Sequence, residues 1–388
     1  MSRFKTIHSP KAMQLLEATQ VRPPEHVSER IAWFDYAKGI CIIMVVMMHS
    51  TLGVGEAFAE RGLAPEGFMH WLVAYAKPFR MPDFFLLSGL FLSLAIGRAW
   101  LHYLDTKLVH FAYFYVLWLA IQMPLRLAVD GGLSAGNFAS QFLDALVNPY
   151  APLWFIYVLP LMFIVTKLLH RVPAPVLLGG AALMQIVPLH TGWSAIDQYA
   201  AHYYVFFLAG YLLAPHVFAI ARWAGENVAI SLWAFFAWAV ANGIAVFTPG
   251  LGPEYSSMAH MPLVSLLLGI AGAVAIVTAA SLMAKFDVAH GIRYCGKHSI
   301  VLYISFMIPM ALTRVILVKT GLITDTGVAS LIVWLTAVIS PLVVYEVLRR
   351  TPFRYLYQRP SWARLPDQRR AATGLAQRVR RINGLPAA

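Results

Sequence analysis

The sequence predicts an all-α protein, a polytopic membrane bundle of about ten transmembrane helices. Three observations carry that prediction. Hydrophobic residues make up 59% of the 388 and charged residues only 12%, about half the charged share of an ordinary soluble domain. The mean hydropathy is +0.65. The apolar residues are gathered into successive runs, most of them close to the roughly 20 residues a helix needs to cross a bilayer.

Taken in order, residues 1–30 are polar and basic without an apolar stretch. They read as a cytoplasmic tail with a short helix over 10–19, and not as a cleaved signal peptide. The first run, 31–54, then acts as its own insertion signal. The second covers 71–96, interrupted at Pro78 and Pro82, and the third 108–127. Residues 130–150 are too polar to span, and 138–147 suit the membrane interface. Further runs follow at 152–169, 175–189, 199–220, 228–247, 262–282, 300–318 and 329–348. Residues 349–388 form a basic tail without apolar period. The simplest division is a tail over 1–30, one membrane domain over 31–348 and a second tail over 349–388. With an inside N-terminus, the inner connections carry Arg98, Lys107, Lys167, Arg171, Arg222, Lys285, Arg293 and Lys297. The outer ones carry Arg61, Arg126, Arg314 and Lys319. That bias obeys the positive-inside rule and makes both termini cytoplasmic.

The net charge of +12 invites a nucleic-acid reading, which the sequence does not support, because much of the excess lies in the tails and inner connections where membrane proteins concentrate Lys and Arg. The two cysteines, Cys41 and Cys295, form no disulfide framework, and no His, Cys, Asp or Glu spacing suits a metal. No internal repeat is evident, which disfavours an inverted-repeat transporter.

Chemistry is suggested first by Asp35-Tyr36-Ala37-Lys38-Gly39 and the apolar stretch leading to His49. Lys38 and His49 are eleven residues apart. That is about three helical turns, so both fall on nearly one face, roughly 16 Å apart along the axis. A titratable residue inside a lipid span is costly and normally faces protein or a wet cavity. A neutral imidazole there suits a general base taking a proton from an attacking hydroxyl. Taken singly, Lys38 reads as an orientation anchor, and Asp35 is spaced to pair with it. A second cluster, Lys77-Pro78-Phe79-Arg80-Met81-Pro82-Asp83, sets two cations at the mouth of an apolar run on the outer side. The positive-inside rule does not ask for cations there, so an anion- or carbonyl-binding role is expected. The rival reading is a basic belt with Arg80 neutralised by Asp83. Ser88-Gly89 suits close helix packing.

These blocks together resemble the membrane-bound acyltransferase family 3. The pattern Asp35-x-x-Lys38-Gly39 with His49 is similar to that family's first helix, and Lys77-x-x-Arg80 to its Arg-x-x-Arg element. Met81-Pro82-x-Phe84-Phe85-x-x-Ser88-Gly89, Leu153-Trp154-Phe155-Ile156, Tyr204-x-x-Phe207-x-x-Gly210-Tyr211 and Gly296-Lys297-x-Ser299-x-x-x-Tyr303 are similar to later blocks, in the family's order. The chain departs in three ways. Lys replaces Arg at 38 and 77, which keeps charge but loses bidentate geometry. Ser305-Phe306 follows Tyr303-Ile304 where many members have a histidine, and Asp83 stands where many have an apolar residue.

The resemblance implies an O-acyltransferase of the bacterial inner (plasma) membrane. Its co-substrate would be acyl-CoA, commonly acetyl-CoA, and its acceptor a hydroxyl of an exported or surface carbohydrate; no cofactor is permanently bound. His49 would be catalytic. Lys38 and Lys297 would hold donor phosphates. Lys77 and Arg80 would face the carbonyl or the acceptor, joined by Trp154 and Tyr157. Asp35, Ser88, Ser299 and Tyr303 would support them. For Trp154 and Tyr157, membrane-belt anchoring is the plainer reading. Glu346 and Asn242 are polar residues within apolar runs that can act as interhelical glue or orient His49, while His202 and His298 read as structural or interfacial. Two other functions fit the same residues: a transporter of a glycan or lipid-linked precursor, and a succinyltransferase acting on periplasmic glucans.

Overall fold

The computed structural model describes residues 31–365. The helix expected over 10–19 and the basic tail beyond 365 lie outside the described residues. Of a first segment, residues 1–32, only Ile31 and Ala32 are described; the chain from Trp33 onward forms one compact unit. Every regular element among the described residues is helical.

Helix α1, Ala32–Ala59, is unbroken, with an acid in its first turn and no proline inside. It is followed by α2 (Phe68–Ala76), α3 (Arg80–Gly89), α4 (Ser93–Ile96) and the long α5 (Trp100–Val129), which contains a π-turn over Asp105–Val109. Next come α6 (Ala135–Ala145), α7 (Ala151–Leu168), α8 (Ala174–Ile186), α9 (Ala195–Leu212), α10 (Ala214–Glu226), α11 (Val228–Phe247) and α12 (Pro262–Phe286). The series ends with α13 (His290–Lys297), α14 (Ser299–Ser305), α15 (Met307–Thr320) and α16 (Thr326–Leu348).

Six of these, α1, α5, α7, α11, α12 and α16, are long and apolar enough to cross a membrane. The number rises to eight if the bent pairs α9–α10 and α14–α15 each count as one span. Either count is below the expected ten. The second run breaks because Pro78 and Pro82 interrupt the backbone: α2 stops at Ala76, and Pro82 sits in the first turn of α3, where its missing N–H costs nothing. The sixth run bends by 76° between Leu212 and Ala214, ahead of Pro215, and the ninth by 48° at Phe306. The fifth, at 13 residues, is short. Helix α6 confirms a surface element between spans: Ser134 accepts from the Asn137 N–H as its N-cap, and Ala145 is its one buried residue.

Helix α3 is the hub. Met81 and Phe85 belong to one buried apolar cluster with residues of α5, α7, α9 and α14. Leu86 and Leu87 belong to another with residues of α1, α2, α10 and α12. Two close glycine approaches fix this arrangement. A Cβ on Gly89 would overlap the Phe207 carbonyl, and one on Gly210 the Leu86 carbonyl, so α3 and α9 touch backbone to backbone. Likewise a Cβ on Gly39 would overlap the Ile292 carbonyl, and one on Gly296 the Asp35 carbonyl, docking α13 on the start of α1. Small residues permit such contact between apolar helices, where lipid offers no hydrophobic drive of its own. Helix α11, by contrast, exposes Trp233, Phe236 and Ile244, the surface expected of a lipid-facing helix.

The first part of the basic tail is folded onto the unit. Arg359 donates to the Asp105 carboxylate at 2.6 Å and to its carbonyl at 2.8 Å, both side chains being buried. The Leu365 N–H adds a 2.8 Å bond to the same carboxylate. Lys167, expected as an inner surface charge, is buried. It donates to the Ile96 and Arg98 carbonyls at 2.6 and 2.8 Å, under the rings of Trp100 and Tyr103. It thereby satisfies carbonyls that the short α4 leaves unbonded at its end.

Candidate active site

Because α1 is continuous, the eleven-residue spacing holds, and Lys38, Ile42, Val45 and His49 form one stripe. Ile42 and Val45 on that stripe pack into the first cluster with Phe85, Phe155 and Tyr303. Lys38 pairs with buried Asp35 at 3.1 Å and lies 4.8 Å over the Phe34 ring. Asp35 thus acts as the expected partner, held where Gly296 closes against its backbone.

A cavity of about 200 Å³ opens beside Lys38. Ser88 of α3 and Ser299 and Tyr303 of α14 line it together with Phe84 and Phe155. Four residues chosen from distant stretches, Lys38, Ser88, Ser299 and Tyr303, therefore share one space. Two of the hydroxyls have a defined setting: Ser88 donates back to the Phe84 carbonyl at 2.7 Å, and the Tyr303 hydroxyl accepts from the Phe155 N–H at 3.0 Å. Lys297 ends α13, directly after the Gly296 contact with Asp35.

His49 does not line that cavity; packed Ile42 and Val45 lie between it and Lys38 on the helix face. Its half-buried ring lies 5.3 Å from that of Phe306, and the Arg80 guanidinium is close enough to act on it electrostatically. Arg80 reaches the Val73 carbonyl at 3.5 Å, and its buried Nε has no hydrogen-bond partner. It forms no ion pair with Asp83 among the described residues, so the neutralised-belt reading does not hold. Asp83 is buried beside Cys41, with both carboxylate oxygens unpartnered. Arg80 also acts on Tyr203, a residue that no motif in the sequence singles out.

Tyr203 belongs to an aromatic layer. It stacks on Phe85 at 5.2 Å and 9°, and Trp154 stacks on Tyr199 at 4.3 Å and 15°. Phe85 in turn meets Phe155 at 4.9 Å. This layer parts the Lys38 cavity, lined by Phe84 and Phe155, from a second cavity of about 380 Å³ lined by Lys77, Tyr203 and His260. Trp154 is thus inside the layer and not simply a belt anchor. Tyr157 plays another part. Its hydroxyl donates to the Leu146 and Val147 carbonyls and ties α7 to the end of α6.

Asn242 and Glu346, read as interhelical glue or as orienting His49, join helices instead of reaching His49. Asn242 donates to the Tyr75 carbonyl at 2.9 Å, and Glu346 accepts from Tyr294 and pairs with Arg349. His298 packs on Tyr294, while His202 lines the second cavity.

Residues 31–346, most of the chain, match the family profile described as an acyltransferase domain. The chain belongs to the acyltransferase 3 family. A curated relative, "Inner membrane protein YcfT" of Escherichia coli (strain K12), is 26% identical over 168 residues, covering 38% of this chain and 46% of that protein. The chain thus spans about half the length of that relative. No solved structure matches. With six to eight candidate spans, this acyltransferase 3 protein is an integral membrane protein. Tyr203, Gln185 and His260, which line the second cavity, lie outside the motifs, and only the aromatic block that begins at Tyr204 points near one of them.

Proposed function

We propose that this protein transfers an acyl group, acetyl in the first instance, from cytoplasmic acyl-CoA to a hydroxyl of an exported or surface carbohydrate. The observation that carries this reading is the placement of His49 and Arg80. They come from different helices, α1 and α3; Arg80 keeps a buried Nε without a hydrogen-bond partner, and α3 also carries Phe85 of the aromatic layer between the two cavities.

In this reading the CoA phosphates rest near Lys38 and Lys297, and the acyl arm enters along the Lys38 cavity, whose path to His49 requires Ile42 and Val45 to part. Ser88, Ser299 and Tyr303 line its way. His49 accepts the proton of the acceptor hydroxyl as its oxygen attacks the thioester carbonyl. The carbon–sulfur bond breaks and the CoA thiolate leaves, taking the proton held by His49 to become the thiol. Arg80, a cation without a carboxylate partner among the described residues, steadies the oxyanion as charge develops, a role in which a fixed donor is worth a large part of the barrier. Trp154 contributes to the layer along which the acceptor lies. In this reading both termini face the cytoplasm of a bacterial inner membrane, the orientation that the charge bias of the ten-run sequence reading implies. Succinyl transfer would use the same residues with a different acyl group.

Purified protein in detergent should consume acetyl-CoA and release free CoA, and His49→Gln should lower that rate by about a hundredfold or more. Undiminished turnover in a folded His49→Gln protein would end the assignment of His49 as base.

A further inference from the structure

The second cavity carries its own chemistry. Its walls come from the corner between α2 and α3, from α8, α9 and α11, and from the loop before α12 with the first turn of that helix. Six lining residues matter: Lys77, Gln185, Tyr203, Ser256, Ser257 and His260. The Lys77 ammonium lies 2.7 Å from His260 Nε2, so it donates and the imidazole accepts. His260 Nδ1 then carries the hydrogen and donates to the Ser257 hydroxyl at 2.8 Å, with Ser256 at 3.2 Å. An ammonium has three donors, so this bond leaves Lys77 able to bind further acceptors.

Two features point to a ligand. Gln185, only 9% exposed, donates from its amide nitrogen to the Ser265 hydroxyl at 3.4 Å, and its side-chain oxygen is buried on the cavity wall without a partner. A buried amide oxygen left without a donor is costly, which a hydroxyl-bearing ligand would relieve. The charge is also one-sided. No Asp or Glu lines the cavity, and neither Lys77 nor Arg80 pairs with a carboxylate among the described residues. Asp83, the nearest acid along the chain, is buried and does not line the cavity. The volume of about 380 Å³ falls within the range of small-ligand sites.

We infer that this cavity is the acceptor site and that it selects a negatively charged saccharide, a uronate or a sugar phosphate. Lys77 meets the anionic group in a charge-assisted hydrogen bond. The Gln185, Ser256 and Ser257 polar atoms meet the ring hydroxyls. Tyr203, on the cavity wall, stacks on Phe85 of the aromatic layer that parts this cavity from the Lys38 cavity. The inference deepens the proposed reaction and depends on it for the word acceptor, though not for the binding itself.

The test uses the full chain in detergent and measures equilibrium binding and thermal stabilisation. D-glucuronate should stabilise the protein saturably, and D-glucose should bind about tenfold more weakly or not at all. Equal response to both would overturn the charge selection. Inorganic phosphate, a charge without a ring, should also be weaker; if it matches glucuronate and glucose 6-phosphate, the cavity reads an anion such as a lipid headgroup and the saccharide assignment fails. Lys77→Gln should lower glucuronate affinity about tenfold while Lys77→Arg retains it, and Gln185→Leu should weaken all sugars alike. The comparison of glucuronate with glucose on the unmodified protein stands even if a variant misfolds. Acetyl-CoA is titrated separately. Absence of an acetyl-CoA effect alongside glucuronate binding would overturn the acyltransferase reading alone, and the reverse pattern would overturn this inference alone.

Discussion

His260 shows how one side chain can tie a site to pH. Burial first, and then the Lys77 charge, hold its imidazole below the ordinary value. The groups facing it are Lys77 from the α2–α3 corner and Ser256 and Ser257 from its own loop, with His202 on the same cavity. Unfolded, the ring takes a proton near pH 6.5; folded, it does so only at lower pH. Its contribution to stability is therefore complete above about pH 6.5 and is lost as pH falls. The melting temperature should decline from about pH 7.5 to about pH 5, and more shallowly in His260→Gln; parallel declines would remove His260 as the source. The stripe joining Lys38 to His49 is legible in the sequence, because an unbroken helix turns spacing into direction. The bond between Lys77 and His260, 183 residues apart, is not, because no local rule couples a corner to a loop so distant. Lys167 misleads for a related reason: a cation looks like a surface charge until the carbonyls it caps are placed around it.

At the level of elements, backbone contact decides what the bundle tolerates. Gly210 faces the Leu86 carbonyl, whereas Gly179 and Gly180 of α8 have open space about their Cβ positions. Gly210→Ala should destabilise the protein by roughly 1–3 kcal/mol through forced separation of α3 and α9. Gly179→Ala should leave it within about 1 kcal/mol, or raise it through better helix propensity. Thermal melts of the two variants in detergent check this, and equal melting temperatures would refute the close-packing account. In sequence, Ser88-Gly89 reads as a packing element, and it is one. Local reading does not reveal that Gly89 and Gly210 answer each other, nor that the apolar run containing Gly89 is three short helices. A hydropathy window averages across Pro78 and the turn after Gly89, so a broken path reads as one span.

For the whole molecule, the tie between Asp105 and Arg359 joins positions 254 residues apart and closes the chain on itself. Removing one partner strands a buried charge. Arg359→Leu should cost about 3–5 kcal/mol, whereas replacing both partners with apolar residues should cost much less. If the single and double variants melt together, the pair contributes nothing of note. In sequence, everything beyond 348 reads as a loose basic tail, because the residues there have no apolar period. Tyr357 and the Arg359 side chain are nevertheless buried, held by contacts to distant residues and not by a helical face.

The sequence by itself determined that the chain is an all-helical membrane protein, which residues carry its family pattern, and that Lys38 and His49 share a face. Each follows from local composition or from helical periodicity, which neighbouring residues impose on one another. Only the tertiary structure decided the number of usable spans, the aromatic layer at Phe85 and Tyr203, the two cavities on either side of it, and that Lys77 and Arg80 meet no carboxylate among the described residues. Those depend on which distant backbones approach and which charges find a partner, and packing sets both.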